Sequence, residues 1–316
     1  MYSNNLTSSI SPEKSPLILS ILLLITLGSL WGGMTALAKV VTTAGVPALG
    51  YAFWQTLGAG VILSITCIVL KKPLPLNFRS LRHYFIVGAL GSAIPTTNLF
   101  YSLSKLPTGI VALVITTVPL FTYLLSLVVS LEHYDWRRAL GIGLGFAGSI
   151  IILLPESSLP SRDLVPFVLL AFISPLFYSM NSIYVAKFQS MHMDPIHTAT
   201  GMMLSSSFML VFASHATDTF HPIWKSFDLA NGLILLHMAL AALTFFMYFL
   251  LLRQAGPVYF SQVAFIVTLN AIMWGVLLFD EQHSLWIWLA LALIFFGVAL
   301  VNLGQKKQPL KINKLE

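Results

Sequence analysis

Residues 106–132 read LPTGIVALVITTVPLFTYLLSLVVSLE, and residues 255–281 read AGPVYFSQVAFIVTLNAIMWGVLLFDE. Each stretch opens on helix breakers, Leu106-Pro107 in the first and Ala255-Gly256-Pro257 in the second. Each then runs on without a charged side chain and closes on an acidic residue, Leu131-Glu132 against Asp280-Glu281. The offset between Glu132 and Glu281 is 149 residues, and the same offset carries Gly148 onto Gly297. An uncharged apolar run of about 20 residues is what an α-helix needs to cross a bilayer. The chain therefore reads as one membrane-spanning unit written twice.

Working outward from this pair, similar runs fall at 17–40, 48–70, 83–104, 108–130, 136–154, 165–187, 195–214, 229–252, 256–279 and 285–304. The breakers Lys71-Lys72-Pro73, Leu106 to Gly109, Pro155 to Asp163 and Ala255 to Pro257 lie between them. The fold class predicted is all-α integral membrane, with ten transmembrane helices as two inverted five-helix repeats. The expected division is an N-terminal tail at 1–15, a first repeat at 16–155, a second at 164–305 and a basic tail at 306–316. Five spans is an odd number, so the second copy must enter the membrane upside down relative to the first. Inverted repeats are a recurring plan of secondary transporters, with the substrate held near mid-membrane between the halves.

Composition excludes the soluble alternatives. Hydrophobic residues make up 57% of the 316 and charged residues only 9%, and the mean hydropathy is +0.85. A soluble domain carries roughly 25% charged residues, so no water-facing surface could be covered by this chain. The net charge of +6 does not indicate nucleic acid, because the basic residues sit in short loops and at the C-terminus. The first apolar run is too long, and followed by too many others, to be a cleaved signal. The single Cys67 excludes an intrachain disulfide and a Cys-based zinc site.

The positive-inside rule orients the spans. With the N-terminus inside, the cytoplasmic set is Lys14, Lys71, Lys72, Arg79, Arg82, Arg137, Arg138, Lys187, Arg253, Lys306, Lys307, Lys311 and Lys314. Only Lys39, Lys105, Arg162 and Lys225 remain outside. Both termini are expected in the cytoplasm and the protein in the cell (inner) membrane.

An ionisable group in hydrocarbon is expensive and marks function by default. All 11 acidic residues fall at loops, tails or span ends, which disfavours a carboxylate cage for a cation and an Asp/Glu proton relay. Glu132 and Glu281 read as helix-end or loop anchors, with a coupling role as the alternative. His237 is the one histidine well inside a span; it is either a titrating or substrate-binding group or an interior histidine hydrogen-bonded between helices. Lys39, closing the first span, either attracts a substrate carboxylate or snorkels to the interface.

Uncharged polar groups are more numerous at depth: Gln55, Asn98, Thr116, Thr117, Tyr178, Asn181, Tyr248, Gln262 and Asn270. An unpaired amide in lipid costs several kcal/mol, so these side chains must bond one another across helices or face a wet cavity. Asn98 and Asn181 are favoured for the cavity because Pro95 and Pro175 stand nearby, and a proline in a span frees a carbonyl. The deep Trp31, Trp54 and Trp274 either pack or, beside Tyr178 and Tyr248, suit a flat organic solute. Candidate substrate-binding residues are therefore Trp31, Lys39, Gln55, Asn98, Thr116, Thr117, Tyr178, Asn181, His237, Tyr248, Gln262, Asn270 and Trp274. Gly141 to Gly145 superficially suggests a dinucleotide loop, but it lies inside a span and reads as helix packing through small residues.

Trp31-Gly32 followed by Lys39, Gly109 through Pro119 to Glu132, Gly141 and Gly148, and in the second half Gly256, Glu281 and Gly297, resemble the drug/metabolite transporter superfamily in its EamA-like branch. The resemblance runs from Leu17 to Leu303. It implies a secondary carrier, more commonly an exporter, whose cavity is lined by spans one to four and six to nine with spans five and ten peripheral. Two positions depart from the pattern. Gln55 stands where many relatives carry Arg, which removes an anion contact, and Thr268 stands where the repeat predicts a Pro, which would straighten span nine.

The function expected is a secondary transporter of a small polar organic metabolite such as an amino acid, working by alternating access between the repeats. An exchanger of nucleotide-sugar or organic-phosphate type is the rival, but phosphate needs several deep Arg or Lys residues. A membrane-embedded enzyme finds no His-Glu-x-x-His, no paired intramembrane Asp and no Gly-x-Ser-x-Gly. Partners expected are the small-molecule substrate and membrane lipid, with no nucleic acid, no cofactor and no metal; a homodimer stays open.

Overall fold

The computed structural model describes residues 15–152, 161–188, 193–225, 228–282 and 284–303. The two tails, with Lys14 and the C-terminal lysines, and the loop at 153–160 lie outside them. Among the described residues every regular element is helical. The first half holds α1 (Ser15–Thr43), α2 (Ala48–Val69), α3 (Phe78–Gly88), α4 (Ile94–Lys105), α5 (Thr108–Ile115), α6 (Val118–Val128) and α7 (Trp136–Ile152). The second half holds α8 (Val165–Ala171), α9 (Ile173–Phe188), α10 (Pro195–Ala216), α11 (Leu229–Phe260), α12 (Val263–Phe279) and α13 (Leu285–Leu303).

Water is absent from hydrocarbon, so each backbone N–H and C=O must be satisfied within its own segment, and helices do this. Six stretches among the described residues are long and apolar enough to cross a membrane: Leu19–Thr43, Ala48–Val69, Thr108–Val128, Arg162–Phe188, Pro195–Ala216 and Leu229–Phe260. Ala139–Gly148, Val263–Phe279 and Leu285–Gly297 are shorter apolar helices. Large apolar side chains such as Leu22, Ile65, Phe208, Leu243 and Phe296 point outward and are exposed, a surface that suits lipid and not water.

Several runs that read as continuous in the sequence are broken, each for an identifiable reason. Residues 108–130 divide into α5 and α6 at Thr116-Thr117, because Pro119 has no N–H for the preceding turn and the threonine hydroxyls bond back to Leu113 O and Val114 O. Residues 165–187 divide at Phe172, where Pro175 likewise removes a helical donor. A π-helical turn, Ala89–Ala93, joins α3 to α4 just ahead of Pro95. Residues 256–279 do not form one helix. Gly256 takes φ +79°, a left-handed conformation open to glycine, the helix resumes to Phe260, and α12 starts only after Ser261-Gln262. From there α12 runs unbroken through Thr268, whose hydroxyl bonds Ala112 O at 2.9 Å and Ala264 O at 2.8 Å.

The halves interlock. From the first half, α1 packs on α11 and α12, and α2 packs on α10 and α11. The pair α7 and α13 pack chiefly on one another, at the margin. Lipid tails are as apolar as side chains, so helix association depends on close packing of small residues. Gly297 meets the backbone of Gly141 and Gly145 so closely that any side chain there would collide with it. Gly141 and Gly145 thus serve helix packing, while Gly143 between them faces open space.

Candidate functional site

Helical spacing brings the site together. On α1, Trp31 and Thr35 are four residues apart, and on α9, Tyr178 and Asn181 are three apart; α2 contributes Gln55, with Tyr51 one turn earlier behind the wall. Each pair therefore shares a helix face. With Met34, Phe100 and Phe260, and with His237 and Tyr248 from α11, these faces line a cavity. Its volume is about 120 Å3, as reached by the centre of a water-sized sphere. One water needs roughly 10–15 Å3 on that measure, so the space admits a compact solute. Both halves contribute to the lining, and no charged side chain does among the described residues.

At one side of the cavity, His237 is clamped between two residues of α2. Its Nδ1 shares a short hydrogen bond with the Tyr51 hydroxyl, and its Nε2 lies 3.3 Å from Gln55 Nε2. With the buried Tyr51 O–H donating to Nδ1, the ring proton sits on Nε2, facing the Gln55 side-chain amide. Phe100 stacks on Tyr51 at 4.2 Å and meets the His237 ring edge-on at 5.7 Å. From α9, Asn181 Nδ2 donates to the Tyr248 hydroxyl of α11 at 2.7 Å. Trp31 lies among Phe245, Tyr248 and Phe260 with ring centroids 5.9, 6.0 and 6.1 Å away.

Of the residues singled out in the sequence, Trp31, Gln55, Tyr178, Asn181, His237 and Tyr248 line this cavity. The others are placed elsewhere, and most of them satisfy backbone groups. Asn98 lies on another face of α4, where its amide bonds Leu170 O at 3.0 Å and Ser174 Oγ at 2.8 Å, sealing the break between α8 and α9. Thr116 and Thr117 close the α5–α6 break, and Gln262 bonds Val258 O at 3.2 Å beside the break before α12. Asn270 bonds Ile266 O at 2.9 Å, and Trp274 packs over Gly33. Trp54 is held by the connection between α10 and α11, its indole N–H bonding His221 O at 2.5 Å. The carbonyl that Pro175 frees, Ala171 O, lies 3.5 Å from the Asn98 amide, and the carbonyls of Pro95 and Pro175 themselves accept from Ser174 and Ser179.

Lys39 also stays out of the cavity. Its ammonium donates to Leu103 O at 2.7 Å and Leu106 O at 2.8 Å, the carbonyls that end α4. Beside it, Glu281 accepts Thr108 N–H at 2.5 Å and Gly109 N–H at 3.0 Å, capping α5 from the other half. The anchoring of a helix end expected for Glu281 is thus what the structure displays.

Sequence reasoning missed Thr35 and Phe100 in the lining, and Tyr51, which holds His237 from behind it. The signal for Tyr51 and Thr35 was their position, one helical turn before Gln55 and one after Trp31; nothing marked Phe100. The lining also differs from the expected set of spans, since no lining residue comes from α10, the seventh run. None comes from α7 or α13, which matches their peripheral placement. No three His, Cys, Asp or Glu side chains among the described residues gather where they could hold a metal ion.

Comparison with known proteins agrees with this architecture. The EamA-like transporter family model matches twice, over residues 18–154 and 165–303. The chain is 29% identical to "Uncharacterized inner membrane transporter YedA" of Escherichia coli K12 over 84% of this chain and 85% of that one. It is 24% identical to "Uncharacterized transporter YvbV" of Bacillus subtilis over 94% and 95%. A crystal structure at 20% identity superposes with a TM-score of 0.65, over 92% of this chain and all but 1% of the other, which shows a shared fold. The family and the names of these relatives point to transport and not to catalysis. With two copies of the family's unit spanning nearly all of its length, the chain belongs to the EamA-like transporter family and is a multi-pass membrane transporter.

Proposed function

We propose that the protein is a secondary carrier of a small polar organic metabolite, such as an amino acid, that works by alternating access and moves it outward across the cell membrane. In this reading all ten runs cross the bilayer, the two halves are inverted, and both termini are cytoplasmic. The observation that carries the reading is the cavity lined by α1, α2 and α4 to α6 from one half and by α9, α11 and α12 from the other. Rocking of one half on the other would change the exposure of a site built in this way. The absence of charge from the described lining, with Lys39 bonded to backbone, argues against a nucleotide-sugar or organic-phosphate substrate.

The test is saturable flux into and out of sealed proteoliposomes, across a panel of amino acids and related metabolites, with and without a pH gradient. At least one solute is expected to move with saturation. A panel that shows neither flux nor binding overturns the proposal. The topology is checked by labelling single cysteines, placed at Lys14 and Lys311 in a Cys67→Ala background, from either side of intact cells.

A further inference from the structure

A second, larger cavity opens on the flank of the bundle, with a volume of about 1020 Å3 on the same measure. It lies where α4 and α10 part: α10 packs on α3 and on the π-helical turn Ala89–Ala93, while past Pro95 the α4 helix takes another course. A π-helical turn and a proline are both ordinary causes of such a kink. Ile94, Asn98, Tyr101 and Lys105, three or four residues apart, present one face of α4 to this groove. Leu210, Ala213 and Thr217 present one face of α10, and the α1–α2 connection and Ile173 complete the wall. Both halves therefore share the groove, and no residue lines both it and the cavity around Asn181 and His237.

The groove is graded in polarity along the helix axis. Ala93, Ile94, Met209 and Leu210 line one end, and Thr43, Ser104, Lys105, Thr217 and Thr219 line the other. From Ala93 to Lys105 the α4 helix rises about 18 Å at roughly 1.5 Å per residue, close to the depth of one leaflet in a hydrocarbon core of about 30 Å. Ile94 and Tyr101 are 41% and 38% exposed, so the groove opens sideways. At the polar end Lys105 is left over for a ligand. A lysine in the last turn of a helix ordinarily holds the final carbonyls, but Lys39 of α1 has taken Leu103 O and Leu106 O. Among the described residues Lys105 makes no ion pair, and its ammonium lies 6.0 Å from the Tyr101 ring. No acidic side chain lines the groove among the described residues.

We propose that the groove is a phospholipid-binding site, in which one acyl chain lies between α4 and α10 and Lys105 holds the phosphate of an anionic head group. A basic residue beside a cleft between spanning helices is the arrangement that binds such head groups. A lipid matches both the grading and the reach of the groove, whereas a polar solute leaves its apolar end unmatched. The α1–α2 connection and α4 belong to one half and α9 and α10 to the other, so the lipid bridges the halves. Rocking of one half on the other reshapes the groove, and lipid occupancy then sets part of the transport rate. The site rests on the membrane setting and on no choice of cargo.

The test titrates the purified, delipidated full-length protein in detergent with dioleoyl phosphatidylglycerol and dioleoyl phosphatidylcholine, read by native mass spectrometry and thermal shift. The anionic lipid is expected to bind the tightest site at least about fivefold better than the zwitterionic one, the effect of one lysine near the membrane surface. Lys105→Ala is expected to remove that preference and Lys105→Arg to keep it. Ala213→Trp fills the groove and is expected to lose the bound lipid of either kind. Should that variant fail to fold, Lys105→Ala, at an exposed position, still decides. Equal binding of the two lipids by the parent, or a preference unmoved in Lys105→Ala, overturns the inference. So does a parent that holds no lipid and forms a dimer that Ala213→Trp dissolves, since a second copy of the chain then covers the groove. Flux is measured in parallel in proteoliposomes with and without phosphatidylglycerol. Lipid binding at Lys105 without saturable flux of any solute upholds the site and removes the carrier reading; saturable flux without lipid binding does the reverse.

Discussion

The Glu281 carboxylate holds the first two N–H groups of α5, where a helix start leaves four donors without intrahelical partners. A negative charge there also meets the positive end of the helix dipole. Glu281→Gln keeps the shape and removes the charge, so it is expected to cost about 1–2 kcal/mol, read as a lower Tm of the purified protein. An unchanged Tm would show that the cap contributes nothing. Lys39 acts at the adjoining helix end, donating to the last carbonyls of α4. His237 binds two partners on α2, and His237→Ala strands both in a buried site. That change is expected to cost about 1–3 kcal/mol and to reduce flux, while His237→Gln recovers part of the stability. Full flux in His237→Ala would take the residue out of the site.

Helices here are held together by close approach more than by withdrawal from water. Gly297→Leu should force α13 away from α7, because the atoms in its path are the backbone of Gly141 and Gly145 and cannot turn aside. The expected result is a loss of about 1–3 kcal/mol or more, seen as a clear fall in Tm, with substrate binding intact in the protein that folds, since neither helix lines the cavity. The α12 helix allows a contrasting test. Thr268→Pro would remove a helical N–H and the bonds from the Thr268 hydroxyl to Ala112 O and Ala264 O. A cost of about 3 kcal/mol is expected, and a variant as stable as the parent would mean that α12 accepts the same proline break as α6.

The two halves are tied at opposite ends of the α1–α2 hairpin. At one end Glu281 caps α5 across the halves; at the other, Lys72 pairs with Asp194 at 2.5 Å. Burial of Asp194 works to raise its pKa, but hydrogen bonds from Lys72 and Ile196 N–H and the Lys72 charge hold it below the usual carboxylate range. A carboxyl depressed on folding stabilises above its unfolded pKa, and that contribution fades as pH falls through the folded value. The Lys72–Asp194 coupling is thus expected at neutral pH and lost in strong acid, and as a half-exposed pair it should be worth only about 0.2–1 kcal/mol in a double-mutant cycle. A carrier that rocks must open this end, so a disulfide between Lys72→Cys and Asp194→Cys, with Cys67→Ala, should stop flux until it is reduced. Undiminished flux in the oxidised protein would mean that these two ends do not part. Membrane class, the apolar runs and the duplicated unit were all legible in the residues, because length, hydropathy and breakers are local properties that a bilayer reads directly. Asn98 and Asn181 show where that legibility stopped. Both are amides in apolar helices near a proline, yet one seals a helix break and the other faces the cavity. A helix that is apolar on every side has no polar stripe to tell lipid from interior, so the facing of each amide was decided only when breaks at Thr116, Phe172 and Ser261 set how the helices turn against one another.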